Sequence, residues 1–204
     1  MWFTRENLKK VLIVTVSLGF VGLFVTGLAL YLISQHLPSH EHLASYAPPM
    51  GTRIYSADGA LFAEYATERR IFVPFEDIPP NVINAFLAVE DSNFYAHNGI
   101  HIPSIIRAFF TNLRRSLAGA KQRLTGGSTI TQQVAKNFLL SRERTYLRKI
   151  KEALLSVRLE EALSKQRILE LYLNEIYLGA STYGVAASSL LYFDKALTDL
   201  ALHS

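Results

Sequence analysis

Residues Pro79–Gly99 read PPNVINAFLAVEDSNFYAHNG, and the class of the fold follows from how this stretch is built. Pro79-Pro80 places proline where the first turn of a helix favours it. Ile83, Phe86, Leu87 and Glu90 then recur at helical spacing. Glu90 therefore projects from the apolar face and is expected to be partly desolvated. Burial makes a carboxyl hold its proton more tightly, toward the range useful to a general base. Asp91 points elsewhere, as a cap or as an acceptor for the loop that follows, and His97 is close enough in sequence to orient that loop. Taken alone, these residues also suit a glutamate in a local salt bridge.

Downstream the chain reads as helix after helix, over about 103–117, 129–140, 146–163 and 165–178. The basic, glycine-rich segment AGAKQRLTGG at 118–127 is expected to be mobile. Gly126-Gly127-Ser128-Thr129-Ile130-Thr131-Gln132-Gln133 reads as a loop entering a helix, with Ser128 or Thr129 at the N-cap. Free N–H groups at such a helix start favour anions. With Lys136 and Asn137 on the next turn, the segment suits sugar hydroxyls and pyrophosphate oxygens. It is also an ordinary capped helix. On the helix from Tyr146, the stripe Leu147, Ile150, Leu154 and Val157 is expected to be core. A second stripe sets Arg148 and Glu152, spaced i, i+4, among Leu155 and Leu159. An ion pair on so apolar a face is either functional or a buried structural bridge.

Upstream, Arg53–Ser56 and Leu61–Tyr65 flank Ala57-Asp58-Gly59, a hairpin signal. Residues 35–50 read as a solvated linker, although His36, His40 and His42 also suggest a metal tract. Residues 11–34 (VLIVTVSLGFVGLFVTGLALYLIS) carry no charge. As a helix they span roughly 36 Å, enough to cross a hydrocarbon core of about 30 Å. Arg5, Lys9 and Lys10 precede them, so residues 1–10 are expected in the cytoplasm and the rest outside. A cleavable signal peptide is the alternative, but the apolar run is long for one and no A-x-A site follows.

In bulk, half of the 204 residues are hydrophobic, the net charge is +4 and there is no cysteine. This composition excludes a disordered chain, a disulfide framework, a thiolate metal site and a cysteine nucleophile. The basic balance fits anionic headgroups or phosphate substrates. Nucleic acid is not expected, because the basic residues lie in a region read as extracytoplasmic.

Five strings in order, EDSNFYAHNG (90–99), GGSTITQQVAKN (126–137), RKIKE (148–152), KQRILELYLN (165–174) and GASTYGVAASSLLYFDK (179–195), resemble the family-51 glycosyltransferase domain of class A penicillin-binding proteins. The resemblance covers about 52–202. It implies a mainly α, lysozyme-like domain (residues 51–204) behind a single transmembrane helix and a small β-hairpin, with a globular lobe and a membrane-dipping jaw. It implies that Glu90 is the base that deprotonates the 4-hydroxyl of lipid II as that oxygen attacks C1 of a polyprenyl-linked glycan, and that Glu152 is a second catalytic carboxylate. The expected substrate-binding set is Asp91, Phe94, His97, Ser128, Thr129, Gln133, Lys136, Asn137, Arg148 and Lys149. Asn174 is expected to be structural. A divalent cation, Mg or Mn, is expected near Glu152 if any metal takes part. The implied partners are lipid II, the growing glycan, the membrane, and proteins of cell-wall synthesis and division. The implied location is the inner membrane, with the catalytic domain periplasmic.

The chain departs from the family at His101, where an acidic residue is usual. Family domains also continue past Leu202 into a transpeptidase, whereas here no S-x-x-K, S-D-N or K-T-G set is present. The domain therefore reads as C-terminally incomplete. Two rival functions are a lysozyme-like glycan hydrolase, which would need neither a pyrophosphate site nor an anchor, and an inactive remnant that binds lipid II without turnover.

Overall fold

The computed structural model describes residues 5–39, 41–44, 46, 52–58, 61–65, 69–119, 126–141, 143 and 145–201. The chain is mainly α and divides into two compact units, Met1–Pro38 and Ser39–Ser204.

The first unit is one helix, α1 (Arg5–Gln35), with no buried residue. An 18-residue stretch of it has a mean hydropathy of 2.4, and with 31 residues the helix is, by length and composition, long and apolar enough to cross a membrane. Thr15 and Thr26 return their hydroxyls to the carbonyls of Val11 and Gly22, so neither polar group is left open on the apolar surface.

The second unit holds six helices among the described residues: α2 (Pro80–Glu90), α3 (Ile102–Leu117), α4 (Ile130–Leu139), α5 (Tyr146–Ala162), α6 (Lys165–Glu175) and α7 (Val185–Phe193). Strands β1 (Thr52–Tyr55) and β2 (Leu61–Tyr65) form the expected antiparallel hairpin, although Gly59 of its turn lies outside the described residues. Of the segment 118–127, expected to be mobile, residues 120–125 also lie outside them, as does His40.

The core is where α4, α5 and α6 meet. Ile130, Val134, Leu155, Leu159, Ile168, Leu169 and Leu173 are all essentially inaccessible there. On α5 the structure reverses the expectation. Leu155 and Leu159, with Glu152 beside them, form the core face, whereas Leu147 and Ile150 are exposed. Periodicity identified two stripes, and packing against α4 and α6 selects the one that carries the ion pair.

Three short strands were not foreseen. Here β3 (Arg69–Arg70) pairs in parallel with β5 (Thr182–Tyr183), and β4 (Tyr177–Gly179) pairs antiparallel with β5, giving the order β3-β5-β4. Arg70 secures this sheet through a two-pronged ion pair to Glu175 and by lying 4.4 Å over the Tyr183 ring.

The supposed linker is not fully solvated. Leu43 is completely buried, and Arg167 on α6 donates to the carbonyls of Leu43 and Tyr46. Tyr46 also meets Phe138 edge to face, with centroids 4.8 Å apart. A leucine and an aromatic ring in a polar segment are enough to dock it, because burying each removes apolar surface from water.

Candidate active site

Glu90 is the last residue of α2, and its side chain is exposed rather than desolvated. Helical spacing identifies the face correctly, but the helix ends just where it outruns its packing. The carboxylate accepts one hydrogen bond, from Gln133 Nε2 on α4 at 2.9 Å. It opens on a cavity of about 260 Å³ shared with Asn93, Arg107, Gly127, Ser128 and Thr129.

Of the residues after Glu90, Asp91, Phe94 and His97 are buried and engaged with the protein. Asp91 accepts from His97 Nε2 at 3.0 Å and from the backbone N–H of Ile130 at 3.0 Å. Phe94 is 1% exposed, under the Lys165 ammonium at 4.2 Å. Lys165 also donates to the carbonyl of His97 and to Glu160, which in turn accepts from Thr131. Thus Phe94 and His97, placed by sequence in the substrate-binding set, shape the loop and do not line the Glu90 cavity, whereas Asp91 both holds the loop and lines that cavity. The short 3-10 turn Phe94–Ala96 is what swings the Phe94 ring inward. His101, the departure from the family pattern, caps no backbone N–H. Its Nδ1 meets Ser104 Oγ at 2.6 Å and its ring lies 5.6 Å from that of His97.

The start of α4 is also committed. Thr129 and Gln132 form a reciprocal capping box. The Thr129 hydroxyl donates to the carbonyl of Gly99 at 2.6 Å, and Ile130 N–H goes to Asp91. The N–H groups of Thr129, Ile130 and Gln132, which the sequence left open to an anion, are taken by the capping box and Asp91. Thr129, 2% exposed, holds the glycine loop against the Glu90 loop.

The RKIKE segment builds a cationic wall. Glu152 is 2% exposed, with Arg148 Nη1 and Lys149 Nζ each 2.7 Å from its oxygens. Lys149 reaches across to Ser128 Oγ as well. The Arg148 contact is an ion pair rather than an aligned hydrogen bond, and Arg148 Nε has no partner among the described residues. The donor set does not fit a divalent cation: both oxygens of Glu152 face cations, and no group of three or more His, Asp or Glu among the described residues is arranged to hold one.

One turn beyond Gln133, Lys136 and Asn137 are exposed and line a second cavity, of about 530 Å³, with Arg148, Glu175, Tyr177 and Tyr183. Arg107, Tyr177 and Tyr183 were not foreseen. A lone arginine on an amphipathic helix reads as solvated, and the tyrosines lie on strands too short to leave a periodic signal. Asn174 is structural as expected: its amide bridges both polar groups of Val73 and the carbonyl of Glu170.

Comparison with known proteins agrees with this geometry. Residues 58–204 match the family model described as Transglycosylase. The chain is 48% identical to Penicillin-binding protein 1A of Rickettsia felis over 89% of its length, 46% identical to that of Aquifex aeolicus over 90%, and 44% identical to that of Neisseria gonorrhoeae over 96%. It spans about a quarter of these relatives' length, at 23%, 24% and 24% respectively. A family model that covers most of the chain, together with near-half identity across it, places this protein in the transglycosylase family.

Proposed function

We propose that the chain is a peptidoglycan glycosyltransferase module that polymerises lipid II into glycan strands, with release of polyprenyl diphosphate. The observation that carries the reading is Glu90: a carboxylate opening on a cavity and bonded, among the described residues, by the neutral amide of Gln133, which lies one helical turn before Lys136 in the site shared with Arg148. In this reading Glu90 takes the proton of the acceptor 4-hydroxyl as the O4–C1 bond forms. The bond from C1 to the diphosphate oxygen breaks, and the leaving diphosphate carries away the electron pair.

A diphosphate needs charge neutralisation more than protonation. Lys136, which has no ion-pair partner among the described residues, and Arg148, with its unpartnered Nε, supply the positive charge. Glu152 acts through them. It holds Arg148 and Lys149 in place rather than moving a proton. Helix α1 anchors the module with its N-terminus cytoplasmic and the cleft outside the inner membrane, in line with the basic residues ahead of it. Ile105, Ile106, Phe109 and Phe110, exposed on α3, suit insertion into the outer leaflet.

Polymerisation of lipid II by the Glu90→Gln protein tests the assignment. A positioned base contributes about 10²–10⁴ in rate, so a loss of at least a hundredfold with an unchanged melting temperature is expected. Polymer formed at near wild-type rate would remove Glu90 from the mechanism. Cleaved glycan in place of polymer would point to hydrolysis.

A further inference from the structure

Tyr172 is buried against the helix that ends in Glu90. Tyr172 on α6 is 1% exposed, and its hydroxyl has no hydrogen-bond partner among the described residues. Leaving a buried hydroxyl unpaired is costly, so such a group calls for an acceptor. Its ring stands edge-on to Phe86, with centroids 6.1 Å apart, and Phe86 lies one turn before Glu90 on the same face of α2. Two influences push the hydroxyl's pKa above its ordinary value, burial first and then the negative charge of Glu90. Glu90 itself uses only Oε2, for Gln133, and Oε1 has no protein donor among the described residues.

We propose that Tyr172 is a positioning residue for the base, its hydroxyl donating to Glu90 Oε1 directly when the carboxylate turns inward or through one water. This rests on Glu90 being the base. Catalytic hydrogen bonds are often long in an empty site and tighten when substrate binds. With Gln133 on one oxygen and Tyr172 on the other, the carboxylate is aimed by two neutral donors. Neutral donors orient an anion without the full loss of basicity that an adjacent cation imposes.

The charged groups around the site are Arg107 from α3, Lys136 from α4, Arg148, Lys149 and Glu152 from α5, the Asp91–His97 pair on the loop, and Arg167 with Glu170 on α6. They set where the acid limb of the pH profile lies. They do not change between wild type and a Tyr172 variant.

The test measures kcat/KM for lipid II against pH with the full chain in detergent, for wild type, Tyr172→Phe and Glu90→Gln. A donor to the ionised carboxylate favours that form. Removing it makes the base easier to protonate, so the acid limb of Tyr172→Phe moves to higher pH by about one unit, and kcat falls roughly tenfold with KM little changed. A merely structural role would lower the melting temperature and scale activity equally at every pH. An acid limb that stays in place overturns the proposal. If Tyr172→Phe folds poorly, 3-fluorotyrosine at position 172 keeps the shape and strengthens the donor, and the limb then moves to lower pH; no movement overturns the proposal equally. An active Glu90→Gln protein overturns the base assignment and this inference with it, whereas an inactive one with an unmoved Tyr172→Phe limb overturns the inference alone.

Discussion

At Gly99 the backbone has a φ of +84°, and an added Cβ would stand 2.5 Å from the carbonyl oxygen of Ser156. The loop carrying Asp91 and His97 thus closes directly onto the backbone of α5, and the Gly99 carbonyl is the acceptor for Thr129. Gly99→Ala adds left-handed strain to a clash with backbone that cannot move aside, and should cost about 3 kcal/mol or more. Gly119 is the control. Its φ of +68° is similar, but nothing lies within 4 Å, so Gly119→Ala should cost only about 1 kcal/mol. Thermal melts of the two variants separate strain from clash; equal shifts would show that the contact with Ser156 is unimportant. At this scale sequence revealed identity better than environment. Glu90 and the Arg148–Glu152 pair could be picked out by spacing. That Glu90 is exposed and that Phe94 is interior could not, because both depend on where a helix stops and which way a single turn rolls.

The start of α4 shows what one cap can organise. Thr129 accepts from Gln132 N–H, donates to Gly99 and is backed by Asp91 on the neighbouring N–H. Thr129→Val keeps the shape and removes both hydroxyl functions. Loss of an N-cap costs about 0.5–2 kcal/mol, and the stranded Gly99 carbonyl adds about 1–3 kcal/mol. A clear fall in melting temperature is expected for Thr129→Val, with much of it restored in Thr129→Ser; indifference to either change would mean that the cap is redundant. The helices from α2 to α6 were legible because caps and apolar periodicity agreed. Helix α7, VAASSLLYF, was not, since it has almost no polar face and hence no period to read. Strands of two and three residues were equally silent, for Arg69 finds its partner Thr182 over a hundred residues away.

Among the described residues, the longest runs of open apolar surface lie on two helices. Helix α1 is apolar all round. Helix α3 buries only Ala108, while Ile102, Ile105, Ile106, Phe109, Phe110, Leu113 and Leu117 are each at least 43% exposed. Contiguous apolar surface of this kind marks an interaction face. A protein lacking residues 1–38 should therefore still float with anionic vesicles. Since burying a Phe side chain is worth about 1.5–3 kcal/mol, Phe109→Ser with Phe110→Ser should lower that partition more than tenfold. Complete loss of flotation on removing residues 1–38 alone would leave α3 without a role at the bilayer.

The buried Leu43 and the Arg167 clamp set the true beginning of the folding unit. A domain started at residue 51 would retain all five strings by which it is recognised, yet it would have a hole in its interior. Filling that hole is worth on the order of 2–5 kcal/mol for a leucine side chain. Arg167 would lose the two carbonyls it grips, keeping Glu170 alone. The stem that looks like mere tether is the first piece of the domain's own architecture.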